Sequence, residues 1–124
     1  MPLVLIVDDN AKNLKLARDV LRAAGFRTLE AATGAEGIAF AAERLPDAVL
    51  LDLRLPDLGG TEVARRLRDD PRTAGIPIVA LSALPIGGDE DWLRAAGFAG
   101  YVEKPIDVSR FPNQMRRFCT GAES

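Results

Sequence analysis

A chain of 124 residues with 16 Lys and Arg against 18 Asp and Glu has a formal net charge of −2, a balance in which nothing asks for a nucleic acid or an anionic membrane as partner. It is 48% hydrophobic and 27% charged, an ordinary globular composition, and its length fits one domain with a proper core. One cysteine, Cys119, excludes an internal disulfide, and the absence of histidine excludes imidazole catalysis and imidazole metal ligation.

The first apolar run, Leu3 to Val7, reads as a buried strand. It is too short for a signal peptide and leads directly into Asp8-Asp9, and no run approaches the roughly 18 apolar residues of a membrane span, so a cytoplasmic location is expected. Asn10 or Asp9 caps a helix whose Leu14, Ala17, Val20, Leu21 and Ala24 form one stripe, with Gly25 just past its end. Phe26 to Ala31 is a more polar strand. Thr33 caps a helix over Ala35 to Arg44, with Ile38, Ala41 and Ala42 inward, and Pro46-Asp47 breaks it. Ala48 to Leu51 is a third strand, buried on both faces, that delivers Asp52 to a turn at Pro56-Asp57 and Gly59-Gly60. A third helix runs to about Arg68 with Val63, Ala64 and Leu67 inward, before Pro71 and Gly75. Ile76 to Leu81 is a fourth strand ending in Ser82. A loose loop with Pro85, Gly87 and Gly88 precedes a short helix, Asp89 to Ala96. Ala99 to Val102 is a fifth strand, left through Glu103-Lys104-Pro105. The last helix runs to about Cys119. Pro112 belongs in a first turn, so this helix is expected to start late, near Ser109 rather than Asp107. Residues 120–124 are expected to fray.

Five β-α units in strict alternation imply an α/β fold with a doubly wound parallel sheet. All carboxyl ends of its strands then lie on one edge, which collects Asp8-Asp9, Asp52, Ser82 and Glu103-Lys104. If the first and third strands are neighbours, three carboxylates meet and raise one another's pKa values. A hard divalent cation, Mg²⁺ or Mn²⁺, resolves that repulsion. Lys104 adds a fixed positive charge and Ser82 a hydroxyl donor. The set suits phosphoryl transfer to Asp52 as nucleophile. Each residue also has a plainer role open to it: Asp8 and Asp9 as caps, Asp52 and Ser82 as turn residues, Lys104 as a surface lysine, Tyr101 and Trp92 as packing, Cys119 as a small apolar side chain.

Four motifs in order, Val7-Asp8-Asp9-Asn10, Leu51-Asp52-Leu53-Arg54-Leu55-Pro56-Asp57 with Gly59-Gly60, Ala80-Leu81-Ser82-Ala83 and Tyr101-Val102-Glu103-Lys104-Pro105, resemble the receiver domain of two-component response regulators over residues 3–119. Asp9-Asn10-Ala11-Lys12-Asn13 and Gly88-Asp89-Glu90 are most similar to single-domain regulators of bacterial cell-cycle phosphorelays and to receivers of hybrid kinases. The resemblance implies a flavodoxin-like (βα)5 sheet of order 2-1-3-4-5, with residues 1–119 as the receiver. It implies Asp52 as phosphoacceptor and a Mg²⁺ site made of Asp9 directly, Asp8 through water, Asp52 and the Arg54 carbonyl. Ser82 would turn inward to a phosphoryl oxygen, the Lys104-Pro105 bond would be cis, and Tyr101 would be a rotamer switch that follows Ser82. A histidine kinase or histidine phosphotransfer protein would supply the phosphoryl group. The face made by the fourth helix, fifth strand and fifth helix would pass the signal to a downstream protein, with Trp92, Tyr101 and Pro112 as a candidate partner surface. The chain would be a signalling domain that catalyses its own phosphorylation and dephosphorylation, and a monomer or weak phosphorylation-dependent dimer. Arg54 and Leu84 would influence how fast water reaches the acyl phosphate.

Three other readings compete. A hydrolase of the haloacid-dehalogenase type needs Asp-x-Asp after its first strand, and Asp8-Asp9 has the wrong spacing. A flavin or nucleotide module needs a phosphate loop there, and Asp9-Asn10-Ala11-Lys12 is acidic. A degenerate receiver would bind partners without phosphorylation, against which the full set of acids, Ser82 and Lys104 argues.

Overall fold

The computed structural model describes residues 1–82 and 91–120. Five parallel strands, β1 (Leu3–Val7), β2 (Arg27–Ala31), β3 (Ala48–Asp52), β4 (Ile78–Ser82) and β5 (Gly100–Glu103), form one sheet in the order β2-β1-β3-β4-β5. Five helices alternate with them: α1 (Ala11–Ala23), α2 (Gly34–Arg44), α3 (Gly60–Asp69), α4 (Asp91–Ala96) and α5 (Phe111–Thr120). The doubly wound architecture and strand order are those expected from the sequence.

The three central strands are buried along their whole length because helices cover both faces. Side-chain alternation then sorts the core into two halves. Leu5, Val7, Val49, Leu51, Ile78 and Ala80 point to one face, under α2, α3 and α4. Val4, Ile6, Leu50, Val79 and Leu81 point to the other, under α1 and α5, with Phe111 and Met115. The register pairs Val7 with Leu51, Asp52 with Leu81 and Ser82 with Glu103, so the polar residues that follow each strand emerge at one edge. Among the described residues no helix is long and apolar enough to cross a membrane.

Local chemistry sets most boundaries. Asn10, not Asp9, caps α1, its Oδ1 accepting from the N–H groups of Lys12 and Asn13 at 2.9 and 3.2 Å. Gly25, at φ +95°, takes the left-handed position after α1 that favours glycine. Thr33 caps α2 through the Glu36 N–H at 3.1 Å.

Several limits differ from the expectation. β2 and β4 start later, at Arg27 and Ile78, and β3 and β5 extend to Asp52 and Glu103. α2 turns Gly34, Gly37 and Ala41 fully inward, while Ile38 and Ala42 are half-buried. Gly37 lies so close to β1 that a Cβ there would stand 2.9 Å from Val7 Cγ2. α5 proper begins at Phe111, later than Ser109. Asp107 caps the preceding turn, its Oδ1 accepting from the Ser109 N–H and hydroxyl and its carbonyl from the Arg110 and Phe111 N–H groups. Pro112 therefore sits in the first turn, where its missing N–H costs nothing. Ala83, Leu84, the loop with Pro85, Gly87 and Gly88, the start at Asp89 expected for the fourth helix, and the tail 121–124 lie outside the described residues.

Candidate functional site

The sheet order makes β1 and β3 neighbours, and their carboxyl ends bring Asp8, Asp9 and Asp52 together. Each offers a carboxylate oxygen, and these oxygens lie within 4.8 Å of one another. Asp9 and Asp52 border a cleft of about 380 Å³ that Asn13, Arg54, Ser82 and Lys104 also line, while Asp8 lies buried beneath it.

Asp8 has no exposed surface, while Asp9 is exposed at the rim. Asp8 Oδ1 accepts from the Asn10 N–H at 2.9 Å, and its Oδ2 is buried with no hydrogen-bond partner among the described residues. Burial holds the Asp8 carboxyl above the ordinary value of 3.8, and the Asp52 charge adds to this, against the pull of the Asn10 N–H and of Lys104. Asp52 is 5% exposed. Its Oδ1 accepts from the Arg54 N–H at 2.9 Å and its Oδ2 from Lys104 Nζ at 3.1 Å. Lys104 Nζ also stands 3.7 Å from Asp8 Oδ2.

Lys104 reaches this point from the end of β5. Its N–H donates to the Ser82 carbonyl at 2.8 Å, and its bond to Pro105 is cis. Ser82 is buried at the end of β4. Tyr101 stands opposite Ala80 in the register, half-buried against the α3 and α4 side of the core. An orphaned buried oxygen among clustered carboxylates is what a hard cation would satisfy, so these residues fit a Mg²⁺ or Mn²⁺ ion.

Among the described residues, the candidate partner residues lie in different surroundings. Trp92 is exposed on α4, next to the buried Leu93. Tyr101 borders a polar cavity with Glu103, Asp107, Arg110 and Gln114. Pro112 faces the other way, lining an apolar groove with Val20, Ala23 and Val108 against α1.

Sequence reasoning read Asp57 only as a turn residue. The structure shows its two oxygens accepting from the N–H groups of Gly34 and Ala35 at 2.8 and 3.0 Å, at the start of α2. Those bonds hold the Asp57 carboxyl below the usual range. The partners are more than twenty residues away in sequence, so no local pattern signals the pairing.

The family model of the response regulator receiver domain matches residues 4–116. The chain belongs to this family. The receiver is 39% identical over 115 residues to the polar-differentiation response regulator DivK of Brucella ovis, covering 93% of this chain and 94% of that protein. Its fold matches the chemotaxis response regulator CheY4 of Vibrio cholerae with a TM-score of 0.88 at 25% identity, over 95% of this chain and 98% of that one. It also matches the receiver domain of a sensor histidine kinase of Pseudomonas aeruginosa with a TM-score of 0.85 at 30% identity, over 95% and 97%. That neighbour is described with a magnesium ion coordinated in its active-site cleft. Receivers are signalling domains of two-component systems, which is the function class read from the four sequence motifs.

Proposed function

We propose that this receiver accepts a phosphoryl group on Asp52 from a histidine kinase or histidine phosphotransfer protein, in a Mg²⁺-dependent reaction. The observation that carries the reading is the cluster itself: three carboxylates within 4.8 Å, one with an orphaned buried oxygen, and Lys104 Nζ 3.1 Å from Asp52. A carboxylate oxygen of Asp52 attacks the phosphorus. The new P–O bond forms as the P–N bond to the donor histidine breaks, and the electron pair leaves on the imidazole nitrogen. The Arg54 N–H bond to Oδ1 and the Lys104 contact to Oδ2 hold the carboxylate in one orientation for attack. Lys104 is placed to transfer its contact to a phosphoryl oxygen, and the Ser82 hydroxyl to donate to another. Asp8, Asp9, Asp52 and the Arg54 carbonyl are the residues that would hold Mg²⁺. Bound there, the ion supplies positive charge that offsets the charge developing on the phosphoryl oxygens.

The phosphoryl group adds about two negative charges next to Ser82 and Lys104. Drawing Ser82 inward leaves space behind it for Tyr101, and the surface of α4, β5 and α5 shifts toward the form that a downstream protein binds. The test is intact-mass spectrometry and Trp92 fluorescence after incubation with acetyl phosphate and Mg²⁺. Wild type should gain one phosphoryl mass and change its fluorescence, and Asp52→Asn should do neither. If wild type gains no mass with acetyl phosphate or with a phosphorylated histidine phosphotransfer domain, Asp52 is not a phosphoacceptor and the chain acts as a phosphorylation-independent binding module.

A further inference from the structure

The loop that leaves β3 carries Arg54 and is anchored on two sides by described residues. On its inner side the Gly60 N–H donates to the Leu53 carbonyl at 3.1 Å, and the Leu53 N–H donates to the Leu81 carbonyl at 3.3 Å. A Cβ at Gly60 would stand 2.8 Å from Leu53 Cα, so the loop lies directly against the start of α3. On its outer side the anchor is Asp57, whose carboxylate spans two successive N–H groups of α2. The approach is close here as well, because a Cβ at Gly34 would stand 2.8 Å from Val63 Cγ2 and 3.1 Å from Leu58 Cβ. Arg54 hangs between these two anchors, with its N–H on Asp52.

We infer that Asp57 is a positioning residue for the acidic site: by fastening the β3–α3 loop to the first turn of α2, it sets the orientation of Arg54 and Asp52 toward the cation. The inference rests on the Mg²⁺ site proposed above. It makes the start of α2 a second element coupled to the site, apart from the α4, β5 and α5 surface. Coupling between two sites is reciprocal, so a cation that orders the loop must also strengthen the Asp57 contacts to α2. An isolated N-cap would not do this. Thr33 supplies the comparison, because its hydroxyl caps the same helix end through the Glu36 N–H, a residue of α2 itself rather than of the loop.

The experiment measures Mg²⁺ affinity by calorimetry, and amide exchange by NMR, on wild type, Asp57→Ala, Asp57→Asn and Thr33→Ala. Wild type should bind Mg²⁺, and binding should slow exchange at Gly34 and Ala35. Asp57→Ala should bind roughly fivefold more weakly or worse and lose that protection, the size of an ordinary coupling between sites. Asp57→Asn keeps one acceptor oxygen and should fall between the two, which preserves the comparison should Asp57→Ala fold poorly. Thr33→Ala should speed exchange at Glu36 and leave Mg²⁺ affinity at the wild-type value. Wild-type affinity in both Asp57 variants, or an equal loss in Thr33→Ala, overturns the positioning role while leaving the metal site standing. A wild type that binds no Mg²⁺ overturns the site and this inference together.

Discussion

Asp8→Asn should make the metal-free protein more stable and its stability nearly indifferent to Mg²⁺. The amide keeps the shape of the carboxyl and the acceptor for the Asn10 N–H, which lies 2.9 Å from Oδ1. It removes one charge that has two strong neighbours. Attraction to Lys104 at 3.7 Å is about 4.5 kcal/mol at an effective dielectric constant of 20. Repulsion from Asp52, whose oxygen is within 4.8 Å, is about 3.5 kcal/mol or more on the same basis. The two nearly offset, which leaves the cost of burying a carboxylate oxygen that has no hydrogen-bond partner among the described residues, about 1–3 kcal/mol. The new amide N–H also gives the neighbouring Asp52 carboxylate a donor. The expected gain is therefore about 1–3 kcal/mol in EDTA, or roughly 4 °C in Tm for each kcal/mol. Wild type should gain about 1.4 kcal/mol in Mg²⁺ at ten times its Kd, and Asp8→Asn should lose most of that gain. Urea denaturation of both proteins, with EDTA and with Mg²⁺, measures all four values. A variant that is less stable than wild type in EDTA, or equally stabilised by Mg²⁺, refutes the claim that Asp8 is a buried charge awaiting a cation.

Three further outcomes follow from the same geometry. Lys104→Met removes the 3.1 Å contact to Asp52, and phosphorylation by acetyl phosphate should slow by roughly two orders of magnitude, as when one charge-stabilising donor is lost; a rate within threefold of wild type would show that Lys104 is only a structural partner. Gly60→Ala would place a Cβ 2.8 Å from the Leu53 Cα, a backbone clash that no rotamer relieves, so urea denaturation should show a loss of about 1–3 kcal/mol. Burial pushes the Cys119 thiol up to about 11 from 9.0, so at pH 8 its thiolate population falls about a hundredfold; alkylation of the native protein should be slower than that of the urea-unfolded chain by a similar factor, and equal rates would show the thiol to be open to solvent.

Most elements were legible in the sequence because they have local causes. The apolar runs at Leu3–Val7 and Ala48–Leu51, the glycine after α1 and the Thr33 cap each act within a few residues. The four short motifs placed Asp8, Asp9, Asp52, Ser82 and Lys104 at strand ends, and the register brings them to one edge. Boundaries were less legible. The start of α5 depended on how Asp107 divides its oxygen and carbonyl among three neighbours, a choice that Pro112 alone does not decide. Trp92, Tyr101 and Pro112 read as one surface in sequence, but the packing of α5 against α1 turns Pro112 away from Tyr101.

Sequence alone determined the alternation of strands and helices, the two-faced burial of the central strands and the inventory of acids, hydroxyl and lysine at their ends. These depend on side-chain periodicity and on residues within a turn of one another. Tertiary structure decided the rest: that Asp8 is wholly buried with one oxygen lacking a hydrogen-bond partner among the described residues while Asp9 stays at the rim, that Asn10 rather than Asp9 caps α1, and that Asp57 fastens the site loop to a helix more than twenty residues upstream. The physical reason is distance along the chain. Burial, charge coupling and capping between segments arise only when packing brings remote groups within a few ångströms, and no local pattern in the sequence records that approach.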